Sequence, residues 1–217
     1  MINGERIWIR LKELSEIGKT DDGGVTRYSY TDLEAAANEQ VRTYMEEAGL
    51  TTGYDSVGNL YGIKKGTKED TLLIGSHVDS VPNGGNFDGP LGVLAGIEVL
   101  ESLQEQGKEL THTVKVMAFK DEEGSRFGLG MIGSRAVAGI LTAEQLQKTD
   151  ADGVSIYEAM KQQGYDPNAF GEAKLENIKA YLELHIEQGK ILESANIAAG
   201  IVSGIAGPCL VTYETNR

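Results

Sequence analysis

Three features are scarce in this 217-residue chain, and each scarcity excludes something. Cysteine occurs once, at Cys209, so no intrachain disulfide can form, and a reducing, cytoplasmic setting is expected. Basic residues are outnumbered, 20 Lys and Arg against 33 Asp and Glu, for a net charge of −13. Such a surface repels phosphate backbones and anionic headgroups, so neither nucleic acid nor a membrane is an expected partner. Long apolar runs are missing too. Nowhere do about 18 apolar residues follow one another, and the opening MINGERIWIRLKEL mixes charges into its apolar residues, unlike a secretory signal.

What is present fits a globular chain: 40% hydrophobic residues, 24% charged, and 28 glycines placed mainly in short turns. The length suffices for one sizeable domain, or for one domain and the start of another. Ile7, Leu11 and Leu14 recur at helical spacing and predict a helix over 4–16. After the turn KTDDGG, Thr31 and Glu34 have the spacing of a capping box, and Gly49 is a natural stop, so a second helix is expected over 31–48. Residues 53–64 read as strand and turn, reversing at Gly58-Asn59.

Thr71 to Gly75 is a short apolar run of the kind found in strands buried on both faces, and it ends at Ser76-His77-Val78-Asp79. Pro90 stands where a first helical residue would, and Leu94, Ile97 and Leu103 mark the inner face of a helix over 90–106 closed by Gly107. Thr113 to Phe119 is a further strand, ending at Lys120-Asp121-Glu122-Glu123-Gly124. Short helices are expected near 131–138 and 153–163. Ala180 to Ile186 alternates as a strand, with Leu182, Leu184 and Ile186 on one face and Tyr181, Glu183 and His185 on the other. No internal repeat is present, and the first plausible boundary is SGIAGP, near residue 203. Strands alternating with helices, each strand ending in polar residues, indicate an α/β fold with a site at the carboxyl ends of the strands.

Those polar ends hold His77 and Asp79, Asp88, Glu122 and Glu123, and His185. Imidazole combined with carboxylate suits zinc, manganese, cobalt or nickel better than calcium or magnesium. His77 and Asp79, two apart, can point to one side, with Asp79 orienting the imidazole from behind. Asp88 can bridge two ions. Of the adjacent Glu122 and Glu123, one can bind metal while the other handles a proton. Each residue also has an ordinary alternative: His77 a structural strand-end histidine, Glu122 and Glu123 a solvated acidic pair, Asp88 a helix cap. His112, in LTHTV, is read as structural.

The segments GSHVDSVPNGGNFDGPLGVLAGIEVL, FKDEEGSRFGLGMIGSRAVAG and ELHIEQGKILE resemble the amidase/hydantoinase/carbamoylase family of dinuclear-metal amidohydrolases. The likeness begins at GERIWIRLKEL and continues through GGVTRYSYT and GNLYG to GIVSGIAG. It implies a three-layer α/β catalytic domain of zinc-exopeptidase type around a central mixed sheet. It assigns His77, Asp88, Glu123 and His185 as metal ligands with Asp88 as the bridge, Glu122 as general base, Asp79 as the residue orienting His77, and Gln188 as a polar group near the substrate. The implied reaction is metal-dependent hydrolysis of the carbamoyl C–N bond of N-carbamoyl-L-amino acids, with allantoate or a β-ureido acid as alternative small-molecule substrates. An aminopeptidase or dipeptidase fits less well, because HIEQG stands where those enzymes more often place an acidic ligand. A non-catalytic metal-stapled module is the alternative from another class.

The family's chains are longer. They continue into a small lid and dimerisation domain and then return to complete the catalytic domain. Residues 1–206 are therefore expected to be the N-terminal part of the catalytic domain, and 207–217 the start of the lid. The lid's histidine motif, a late arginine that grips the substrate carboxylate and a last ligand histidine are not found here; His77, His112 and His185 are the only histidines. The complete site takes two divalent ions, and one or none is expected in this chain, with little turnover. The family's full chains are homodimers, and an uncompleted sheet edge here would favour self-association.

Overall fold

The computed structural model describes residues 1–205. In chain order the elements are α1 (Gly4–Ser15), α2 (Asp32–Glu47), β1 (Thr51–Tyr54), β2 (Leu60–Lys64), β3 (Lys68–His77), α3 (Pro90–Glu105), β4 (His112–Phe119), α4 (Ile132–Val137), α5 (Ile156–Gln162), β5 (Ile178–Leu182) and α6 (Ile191–Ala195), with two short 3₁₀ turns before and after α5. They fall into two compact units, Met1–Ile186 and Glu187–Arg217. The expected lid segment 207–217, with Cys209, lies outside the described residues.

The first unit is an α/β domain on a five-stranded mixed sheet ordered β1-β2-β4-β3-β5. β3, β4 and β5 run parallel, while the β1–β2 hairpin joins β4 antiparallel. Parallel neighbours need crossovers, which α3 supplies between β3 and β4. One face of the sheet packs its Leu60, Val114, Val116 and Ala118 under α1, α2 and α3 through Leu14, Val41, Met45, Val93 and Ile97. On the other face Leu73, Met117 and Phe119 meet Val137 of α4. β3 thus has core on both sides, as its apolar run requires.

Local chemistry sets the helix ends. The Asn3 side chain accepts from Arg6 N at the start of α1, and Arg6 and Arg10 fasten that helix to Glu98 and Glu101 of α3. α2 starts at Thr31, whose Oγ1 accepts from Glu34 N at 3.4 Å. The reciprocal half of the expected capping box does not form. The Glu34 carboxylate accepts instead from Tyr30 N at 2.9 Å and is held, buried, by the Lys120 ammonium. A full capping box occurs at α5, between Ser155 and Glu158.

β5 also departs from the sequence pattern. The alternation of 180–186 predicts one strand, but the ladder with β3 ends at the pair Ile74↔Leu182. Leu182 and Leu184, expected on one face of that strand, are 57% and 50% exposed. Among the described strands β5 pairs with β3 alone, and that ladder stops at Leu182 although β3 runs on to His77. The chain then passes over α3, where a Cβ on Gly92 would lie 2.5 Å from the Leu184 carbonyl oxygen. In the second unit the Glu187 carboxylate accepts from Ile191 N and Leu192 N at the start of α6. No helix among the described residues is long and apolar enough to cross a membrane.

Candidate metal centre

The parallel register sets His77 of β3 opposite Phe119 of β4, so the turns leaving both strands emerge side by side. The first carries His77 and Asp79, the second Glu122 and Glu123. His77 is 1% exposed, and its Nδ1 lies 3.0 Å from the Asp79 carbonyl oxygen and 3.5 Å from Asp79 Oδ1. With a proton on Nδ1 for these acceptors, Nε2 carries the lone pair. Nε2 faces Asp88 Oδ1 at 3.9 Å and Glu122 Oε2 at 3.7 Å. His185 repeats the arrangement. Its Nδ1 is 2.7 Å from the Ile186 carbonyl oxygen, and its Nε2 is 3.2 Å from Asp88 Oδ1.

Asp79 ties the two turns together. It is buried, and its two carboxylate oxygens accept from Glu122 N at 3.2 Å and Glu123 N at 3.1 Å. Burial alone would raise its carboxyl, but the His77 hydrogen bond and charge and the two amides outweigh burial and hold it below the ordinary range. For His77, burial opposes protonation, yet the Asp79 bond and the charges of Asp79, Glu122 and Glu123 push the imidazole up to about 9. Glu122 and Glu123 move upward, mainly through burial, with His77 opposing and the neighbouring carboxylates adding to the rise.

Among the described residues two ligand-like groups result, His77/Asp88/His185 and His77/Glu122/Glu123, each with donor atoms within 4.8 Å of one another and with His77 in common. Imidazole Nε2 atoms and carboxylate oxygens crowded together form a donor set that fits a divalent cation. Asp88 does not cap α3. The N-cap is Gly89, which makes no side-chain cap bond, and Pro90 follows at the helix start. Gly89 has φ +83, and a Cβ there would sit 2.6 Å from Cε1, Nδ1 and the carbonyl oxygen of His77. Gly89→Ala is therefore expected to displace the imidazole and to cost about 1–3 kcal/mol of stability from the strained backbone. Metal titration and urea unfolding of the same variant check both effects.

His112 lies at the other end of β4, paired with Asp70 of β3 and with Lys179 of β5 at 3.2 Å from its Nε2, in keeping with a structural role. Gln188 belongs to the second unit and has φ 52. Sequence reading passed over three residues that shape the centre. Asn59 Oδ1 accepts from Lys120 N. Lys120 reaches Glu34. The Arg27 guanidinium donates to the Val78 carbonyl, between His77 and Asp79. Nothing local signals these roles, because each partner is distant in the chain.

The family model of peptidase family M20/M25/M40 matches residues 73–216. An N-carbamoyl-L-amino acid amidohydrolase of Geobacillus stearothermophilus is 56% identical over 217 residues, 98% of this chain and 53% of that protein. An allantoate amidohydrolase of Bacillus subtilis is 40% identical over 93% of this chain and 50% of its own length. The crystal structure of a hydantoinase/carbamoylase family amidase from Burkholderia ambifaria superposes with a TM-score of 0.83 at 35% identity, covering 90% of this chain and 48% of that one. The chain thus spans about half the length of the curated relatives it matches.

Proposed function

This chain belongs to peptidase family M20/M25/M40, and on that premise we propose that its residues form the metal-holding part of an amidohydrolase site that cleaves the carbamoyl C–N bond of N-carbamoyl-L-amino acids. The observation that carries the proposal is the convergence of His77 Nε2, His185 Nε2 and the Asp88 carboxylate at the carboxyl end of a parallel sheet. Support for the substrate class comes from the 56% identity to an amidohydrolase named for N-carbamoyl-L-amino acids, against 40% to one named for allantoate.

In this reading His77, Asp88 and His185 would hold one divalent ion, and Asp88 and Glu123 would contribute to another. Zinc, manganese, cobalt and nickel suit the donors. When bound, the ions supply Lewis-acid polarisation of the carbonyl and activation of water. The remaining work falls to the protein. Asp79 keeps the His77 ring in the tautomer that presents Nε2, and its hold on the Glu122 and Glu123 amides fixes the second turn against the first. Glu122, 3.7 Å from His77 Nε2, takes a proton at its carboxylate and returns it to the leaving nitrogen. Gln188 supplies a polar contact to substrate.

A protein carrying this chain, loaded with manganese or zinc, is expected to release ammonia from N-carbamoyl-L-amino acids faster than from allantoate or β-ureidopropionate. Preference for allantoate would reassign the substrate, and metal-independent turnover would overturn the mechanism. For the 217 residues taken alone we propose slow turnover, since among the described residues one ion would have three donors and the other Asp88 and Glu123, and lost positioning is costly.

A further inference from the structure

We propose that the buried Lys120–Glu34 ion pair is a positioning device that sets the acidic turn Asp121–Glu123 in register with Asp79 and His77; the inference rests on the metal-site reading above.

Lys120 is the last residue before the turn. It is 2% exposed, and its Nζ lies 2.7 Å from both carboxylate oxygens of Glu34. The ammonium sits 5.1 Å from the Tyr30 ring centre and 5.3 Å from that of Tyr165. Glu34 is held in turn by Tyr30 N and by Asn38 Nδ2. The Lys120 backbone is gripped as firmly: its N–H donates to Asn59 Oδ1, and its carbonyl accepts from Gly133 N. From this root the chain turns through Asp121 at φ 51, and the next two amides point at the Asp79 carboxylate.

A buried ion pair is a poor way to gain stability, because desolvating both charges offsets most of their attraction, and apolar replacements are often neutral. It is a good way to fix geometry, since two charges and their hydrogen bonds define one arrangement. This pair links the first turn of α2 to the carboxyl end of β4. It carries no net charge, so removing both partners scarcely changes the field at the metal centre and isolates positioning from electrostatics.

The test is the double variant Glu34→Gln/Lys120→Met. It avoids the unpaired buried charge of either single change, and the methionine fits between the two tyrosine rings. In the full chain, zinc titration, thermal melting and amide hydrogen exchange are compared with wild type. The variant is expected to keep a cooperative melt and the protection of Val114 and Val116 in β4. Exchange at the Glu122 and Glu123 amides should quicken by about tenfold, and zinc affinity should fall by about tenfold, the range for groups that orient ligands. Unchanged exchange at Glu122 and Glu123, or undiminished zinc affinity, would overturn the proposal. So would loss of protection throughout β4, which would mean that the pair merely holds the fold together. If wild type binds no zinc, the metal-site reading fails, while faster exchange confined to the two glutamate amides would still uphold the positioning role.

Discussion

His185→Ala and His77→Ala are both expected to abolish retention of a metal ion that survives dialysis in wild type. Each removes one donor of the His77/Asp88/His185 group. Altering a group behind a ligand typically costs about 10–100-fold in affinity, and loss of a direct ligand costs more. The two variants differ usefully in what else they disturb. His77 is buried and its ring contacts Asp79, so its removal leaves a small cavity and takes the imidazole from a buried carboxylate that keeps its bonds to the Glu122 and Glu123 amides. His185 has a 37% exposed side chain and can be removed with little effect on packing. Loss of metal in His185→Ala with an unchanged melting curve therefore ties binding to the ligand itself. Full retention of metal in both variants would place the ion elsewhere and remove the basis of the functional proposal. Chelation of wild type separates two further cases. A metal-stapled module unfolds without its ion. A catalytic centre seated on the hydrophobic core described above keeps its sheet.

Periodicity located the core of the fold well, and the reason is physical. β3, α3 and β4 carry their apolar residues on the faces that meet, so Ile74, Ile97 and Val116 signal both element type and orientation within a few residues of sequence. The end of β5 was not legible in that way. Leu182 and Leu184 alternate as a strand should, yet the ladder stops at Leu182 while its neighbour β3 runs on to His77. Beyond the end of that ladder, His185 Nε2 lies 3.2 Å from Asp88 Oδ1. Partner choice over long separations was equally hidden. Glu34 has capping-box spacing, yet its carboxylate binds an ammonium 86 residues away. Metal-capable residue types at strand ends could be seen in the sequence; the groups that aim them could not.

Arg27→Met is expected to cost about 2–4 kcal/mol of stability. Arg27 is 2% exposed and lies between three backbone carbonyls. Its Nε donates to Val78 O at 2.6 Å, and one terminal nitrogen donates to Ile17 O at 2.7 Å and Leu14 O at 3.1 Å. It thereby ties the end of α1 and the turn after it to the segment between His77 and Asp79. Methionine replaces the stem but takes the guanidinium donor from the Val78 and Ile17 carbonyls, while the Leu14 carbonyl keeps the Ile17 amide. Two effects work in opposite directions. Burial pulls the guanidinium down to about 10 from its usual value, with the charges of Asp79 and Glu34 opposing, so wild type already bears a desolvation cost that the variant escapes. Because the folded value lies below the unfolded one, that cost persists at every pH below the folded value and lifts only as pH rises through it; it is constant across the neutral range. The net loss is then smaller than the lost hydrogen bonds alone would give, and independent of pH near neutrality. Arg27→Lys should fall between, since an ammonium is a single point that cannot span the three acceptors as a planar fork does. Urea unfolding should show a lower midpoint with an unchanged slope. A shift equivalent to less than about 1 kcal/mol would mean that the carbonyls find other donors. In that case metal affinity should also be unaffected, because Val78 would still hold His77 and Asp79 in place.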